Sequence, residues 1–214
     1  MEALTLLGTV LGLGFVSGLN LYATVIAVGL IVNFNLTTLP ESMSGLEVLG
    51  NPVVMIVAGV MFAIEFVADK IPWVDTSWDS VHTFIRPLGA AGMGWFAFTG
   101  SDPATETALA LVCGSVALTS HATKASTRVV ANTSPEPVSN AFLSVFEDVV
   151  VVVGVALTFL MPLVMLGLVV VFLLVFLWLT PKFYRILRGV AGKVRRIFRR
   201  RTLVSTPDPE QGLR

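Results

Sequence analysis

Residues 163–180 read LVMLGLVVVFLLVFLWLT, a run without a single charge. An α-helix needs roughly 20 mostly apolar residues to cross the hydrocarbon core of a bilayer. A soluble surface helix keeps a polar face, and this stretch has none. It therefore reads as a membrane span. The residues after it give the direction. Lys182, Arg185, Arg188, Lys193, Arg195, Arg196, Arg199, Arg200, Arg201 and Arg214 are ten of the chain's 14 basic residues. A basic block directly after an apolar run marks a cytoplasmic flank, so the C-terminus is expected inside.

The composition says the same of the rest. Of 214 residues, 55% are hydrophobic and 13% charged, about half the charged share of a soluble domain. The mean hydropathy is +0.84. An ordinary soluble protein and a disordered chain are both excluded. A lone cysteine, Cys113, excludes a disulfide scaffold and a Cys-based metal site. The net charge of zero hides an asymmetry. Residues 1–181 hold four bases against twelve acids, a net −8, and residues 182–214 hold ten bases against two acids, a net +8.

Working backwards from residue 163 gives an all-α, polytopic membrane protein with about six transmembrane helices. The first span, from about Leu4 to Phe34, is longer than one straight crossing and is interrupted by Ser17-Gly18-Leu19-Asn20. A tilted or locally broken helix fits. With Glu2 and no base ahead of it, and no small-residue cleavage site behind it, it reads as a retained span. The second runs from Pro52 to about Ile71, and a short third from about Phe84 to Gly100. The fourth covers about Thr105 to Arg128, the fifth about Val138 to Leu160, and the sixth 163–180. The turn-rich Asn132–Pro137 joins the fourth and fifth. With the tail inside, every Lys and Arg falls on the cytoplasmic side, while the loops 35–52 and 100–106 carry acids and no bases. The expected topology is N-in and C-in, in an inner (plasma) membrane. Residues 1–181 form the transmembrane domain, and 1–100 and 101–181 are possible inverted repeats, since the middle span of each half carries acids. The tail, 182–214, spaces Ile186, Leu187, Val190, Val194 and Ile197 among its bases. This is the pattern of a basic amphipathic helix on anionic lipid.

Charges inside spans are expensive, so they are normally paired and face the bundle interior. Glu65 and Asp69 are four apart and share one face of the second span. Lys70 comes directly after them, and Glu147-Asp148 lies in the fifth span. His121, Lys124 and Arg128 recur at spacings of three and four and form one basic stripe. These residues can meet in one cluster on the cytoplasmic side. Acid pairs suit a cation or protons, and the basic stripe suits an anion. Asn20 and Ser17 could serve a site at a helix break, or tie neighbouring helices together.

Residues 73–86 form an amphipathic helix in which Asp75, Asp79, His82 and Arg86 are spaced four, three and four. The stripe reads as an interfacial helix, or as a gate over the cytoplasmic mouth. Asp75, Asp79 and His82 are also a weak metal pattern. No nucleophile–base pair, phosphate loop, zinc-protease motif or cofactor motif is present, so a non-enzyme with no cofactor and no metal is expected. Nothing calls for nucleic acid.

Three strings carry a resemblance: 17–22 (SGLNLY), 65–87 from Glu65-Phe66-Val67-Ala68-Asp69-Lys70 through Arg86-Pro87, and 132–148 with Asn140 and Glu147-Asp148. With them, nearly the whole chain outside the basic tail resembles a bacterial integral-membrane family known as domain of unknown function 4126. The resemblance implies a prokaryotic inner-membrane protein and brings no assigned activity. A fainter similarity links the acids to cation/proton exchangers with a Glu-x-x-Asp-Lys signature. Here Glu65 and Asp69 stand one residue further apart, and Glu147-Asp148 lacks the spacing and the Lys.

The expected function is a small transporter or channel-like permease for an ion or small charged solute. Six short spans enclose little volume, so a homo-oligomer is expected. The alternatives are a structural or accessory membrane protein, and a lipid-handling flippase or enzyme.

Overall fold

A computed structural model describes residues 2–131 and 137–204, apart from the side chains of Glu2, Pro72, 130–140, 183, 184 and 186–204. The expected loop 132–136, the side chain of Asn140, the residues 205–214 and the amphipathic face of the tail lie outside the described residues. Among the described residues every element is helical: α1 (Glu2–Leu19), α2 (Leu21–Phe34), a 3₁₀ helix (Glu41–Gly50), α3 (Pro52–Ala68), α4 (Pro72–Ala97), α5 (Pro103–Ala131), α6 (Pro137–Leu160) and α7 (Pro162–Val204).

Local chemistry sets these boundaries. Five of the helices, α3 to α7, begin on proline, whose fixed φ and missing N–H suit the first helical position. Asn20 caps α2 by accepting from the Ala23 N–H at 3.0 Å. Asn51 caps α3 by accepting from the Val53 N–H at 2.9 Å. Asp102 caps α5 by accepting from the N–H groups of Ala104 and Thr105, each at 3.1 Å. The Thr105 hydroxyl, followed by those N–H groups, holds the Asp102 carboxyl below the usual carboxylate range. Asn35 closes α2 in the left-handed region at φ 49°, a conformation that asparagine tolerates better than most residues.

The chain divides into two compact units, residues 1–172 and 173–214. In the first, α4 packs most extensively on α5, and α1 packs against α4, α5 and α6. Val10, Leu13 and Val16 of α1 are all buried. Close approach of α1 to α5 depends on Gly18, where a Cβ would run into the Ala117 carbonyl and the Ser120 hydroxyl. The second unit holds the remainder of α7, where the Lys182 ammonium lies 2.9 Å from the Trp178 ring centre.

Two helical segments, Ala141–Leu160 and Pro162–Lys182, are long and apolar enough to cross a membrane. The 3₁₀ helix and α3, bent by 66° at their junction, make a third if they are taken as one broken span. Within α3, Val53, Ile56, Val57, Val60 and Val67 are all exposed. A row of this kind is at home in lipid and a liability in water.

The structure refines three expected elements. The stretch 4–34 is two helices, α1 and α2, separated at Asn20. The loop 35–52 contains a 3₁₀ helix. The amphipathic stretch 73–86 and the short third span are one helix, α4, which runs on through Pro87. Proline removes its own N–H bond and crowds the carbonyl four residues back, a local cost that does not end α4 here.

Candidate ion site

The site is built where α1 gives way to α2. Asn20 is 2% exposed and has an extended backbone (φ −151°, ψ 104°). The break leaves carbonyls at the end of α1 without helical partners. Two cations supply them. Arg86 Nη1 donates to the Gly18 carbonyl at 3.2 Å, and Lys124 Nζ donates to the Leu19 carbonyl at 3.2 Å. Positive charge at a helix C-terminus is favoured by the macrodipole as well.

The same two cations reach carboxylates on other helices. Arg86 Nη2 donates to Glu65 Oε1 at 2.7 Å and lies 3.6 Å from Asp79 Oδ1. Lys124 Nζ lies 3.5 Å from Glu65 Oε1, 3.4 Å from Asp69 Oδ2 and 3.2 Å from Glu147 Oε2. Arg128 donates to Glu147 Oε2 at 2.6 Å and to Asp69 Oδ2 at 3.1 Å, and lies 3.8 Å from Asp75 Oδ1. Glu65, Asp75 and Arg86 are fully buried. Glu65 Oε2, Asp69 Oδ1 and Arg86 Nε are buried and lack hydrogen-bond partners. Buried polar atoms of this kind are uncommon, because each forfeits its hydration without recompense.

The partners of His121 fix its tautomer. Arg86 Nη1 approaches His121 Nδ1 at 2.7 Å. A guanidinium only donates, so Nδ1 accepts and Nε2–H donates to the Asp79 carbonyl at 3.1 Å. His82 Nδ1 lies 2.8 Å from the Trp78 carbonyl, an acceptor, so Nδ1–H donates, and Nε2 pairs with the Tyr22 hydroxyl at 3.1 Å. Trp78 stacks on His82 with ring centres 4.5 Å apart. The His121 imidazole is neutral in this arrangement.

Asp148 stands apart from the ion pairs. Its Oδ1 accepts from Asn20 Nδ2 at 3.0 Å. Among the described residues, no Lys or Arg nitrogen lies within 4.0 Å of it. It is half-buried, whereas Glu65 is fully enclosed.

Most sequence candidates thus converge: Asn20, Glu65, Asp69, Asp75, Asp79, Arg86, His121, Lys124, Arg128 and Glu147 form one network, and Asp148 joins through Asn20. The α4 stripe, read as interfacial or as a rim, is buried and belongs to this network. His82 lies beside it, held by Tyr22 and Trp78. Two candidates fall outside. Lys70 Nζ donates to the Phe66 carbonyl at 2.8 Å and covers the Phe66 ring, because a lysine at a helix end can satisfy a free carbonyl locally. The Ser17 hydroxyl donates back to the Leu13 carbonyl at 2.6 Å and stays within its own helix. Sequence reasoning missed Thr83, whose hydroxyl lies 3.1 Å from His121 Nε2, and the Gly18 and Leu19 carbonyls. Thr83 was traceable, since it lies four residues after Asp79 and so close to the same stripe. The carbonyls have no side-chain signal. The weak metal pattern does not assemble: among the described residues, no group of three His, Cys, Asp or Glu could hold a metal ion.

The described fold is all-helical, with two apolar helical segments long enough to cross a membrane, and these suggest a helical membrane protein. Residues 7–182 match the family described as Domain of unknown function (DUF4126), and the chain belongs to that family. No curated protein and no solved structure matches it.

Proposed function

We propose that this protein is a small permease for protons or another small cation in a cytoplasmic membrane. The observation that carries the reading is the charge balance of the buried network. Glu65, Asp69, Asp75, Asp79, Glu147 and Asp148 face three strong bases, Arg86, Lys124 and Arg128, with the His121 imidazole neutral. A cluster with every acid ionised would carry three uncompensated negative charges in a low-dielectric setting, or two with Lys70 at its edge counted. Such an excess is relieved by bound protons or a bound cation.

The position of the cluster supports the same reading. It surrounds a broken helix, and discontinuous helices are where many transporters place ion sites. The basic stripe supports it too, because Lys124 and Arg128 are engaged by carboxylates and present little to a lipid phosphate. Six spans with both termini inside, inverted halves and a homo-oligomer complete the proposed arrangement, with anionic lipid at the basic tail.

One observation favours a second reading, a scaffold. The pairs are dense and buried, and an apolar cleft beside the site, of about 440 Å³, is lined by Leu21, Tyr22, Val25, Met93 and other uncharged residues. A network that only holds helices in register has this form.

The test is charge movement in proteoliposomes on a solid-supported membrane, backed by tracer flux for electroneutral exchange. Jumps in pH, then in sodium, potassium and chloride, are applied to wild type and Glu65→Gln. Cation or proton current in wild type, lost in a folded variant, is expected. Neither current nor flux from well-folded wild type, with Glu65→Gln merely less stable, would overturn the permease and leave the scaffold.

A further inference from the structure

We infer that Asp148 is the carboxylate that takes up the exchanging proton, and that Asn20 is a positioning residue that passes its charge state to the α1–α2 break. The inference rests on the permease reading and names its proton site.

Three observations single out Asp148. It is the one acid of the six with no Lys or Arg nitrogen within 4.0 Å among the described residues. It is half-buried at the edge of the network, as its neighbour Glu147 is, while Glu65 at 0% exposure is sealed. Its hydrogen-bond partner is Asn20, the residue whose backbone breaks the helix. The charged groups facing Asp148 are Lys124 of α5, Glu65 of α3, and Asp69 and Lys70 of the α3–α4 turn, with Glu147 beside it on α6.

The coupling comes from the groups that Asn20 holds. Its Oδ1 caps α2 through the Ala23 N–H, and its Nδ2 is fixed by Asp148. The carbonyls just before it, Gly18 and Leu19, hold Arg86 and Lys124. A proton taken from water onto Asp148 forms an O–H bond and removes the negative charge. The hydrogen bond from Asn20 then loses its charge assistance, and such bonds are roughly twice as strong as neutral ones. A looser Asn20 frees the break, and with it the carbonyls that position Arg86 and Lys124 among the remaining acids. One protonation at the edge of the network is thereby felt at its buried centre.

The test is amide hydrogen exchange of residues 18–25 in lipid nanodiscs across a pH series, corrected for the intrinsic pH dependence of exchange. Wild type should exchange several-fold faster at this segment on acidification, and distant segments of α6 should not. Asp148→Asn, which is neutral at every pH, should exchange fast throughout with no pH response. Asn20→Ala should also lose the response and serves if Asp148→Asn does not fold. Glu41→Gln, an exposed carboxylate outside the network, should keep it. A flat wild-type profile, or an unchanged response in both Asp148→Asn and Asn20→Ala, overturns the inference. Ion current with a flat profile removes the proton site and keeps the permease. A pH-responsive break in a protein that moves no ions does the reverse.

Discussion

Arg86 ties four parts of the site together. It reaches the Gly18 carbonyl, His121, Glu65 and Asp79, from a position with no exposed surface. Removing one member of a buried pair strands the other charge, at a typical cost of about 3–5 kcal/mol. Arg86→Met should therefore lower the unfolding free energy of purified protein in detergent by that order. Adding Glu65→Leu should recover part of the loss, and a double-mutant cycle of denaturant or thermal melts reads the difference. Simple additivity would mean that the two side chains are not coupled. Lys70→Ala is the contrasting control. Its ammonium is satisfied by the Phe66 carbonyl and ring, so a change within about 0.5 kcal/mol is expected in the same melts.

Among the elements, the α1–α5 contact and the α1–α2 break are one construction. Gly18 lets α1 sit close enough to α5 for Lys124 to reach the Leu19 carbonyl. Gly18→Val should cost about 1–3 kcal/mol or more, because the clash is with backbone and cannot be relieved by a rotamer change. Gly92→Ala, where an added Cβ meets nothing within 4 Å, should be neutral or slightly stabilising. Both are read from melting temperatures of detergent-solubilised protein. Much of this level was legible in the sequence. The spacing of Asp75, Asp79, His82 and Arg86 marks one helical stripe, and the polar step at 17–20 marks a break. The continuity of α4 through Pro87 was not legible, because proline is as common just inside a helix start as it is disruptive in the interior. Nor was the turning away of Lys70, because adjacency to Asp69 cannot say which way a flexible four-carbon side chain points.

For the whole molecule, the charge asymmetry yields a topology that can be measured. With both termini inside, a reporter active only in the cytoplasm should be active when fused after residue 204. A reporter active only outside should work when inserted between residues 36 and 40. Replacing the bases of 182–201 with glutamine should weaken or invert that orientation, since Lys and Arg next to a span set its direction. An external C-terminus in wild type would overturn that orientation. The same substitutions should abolish salt-sensitive binding of the isolated 182–214 peptide to vesicles containing anionic lipid, at about 1 kcal/mol per base near the surface.

Hydropathy and charge are local and additive along a chain. For that reason the class, the helical character and the residues that would be costly to bury could all be read from one dimension. The faces could be read as well, since residues three and four apart must share a side of a helix. The pairing could not. Arg86 with Glu65, Arg128 with Glu147 and Asp148 with Asn20 link positions 21, 19 and 128 residues apart. Nothing in a linear pattern chooses among three bases and six acids. That choice is made in three dimensions by helix crossings, which depend on where Gly18 allows contact and where Asn20 turns the chain. The break's two carbonyls entered the site by the same route. Every residue carries such a group, and it becomes a ligand only when its helical partner is missing and a cation is close enough to replace it.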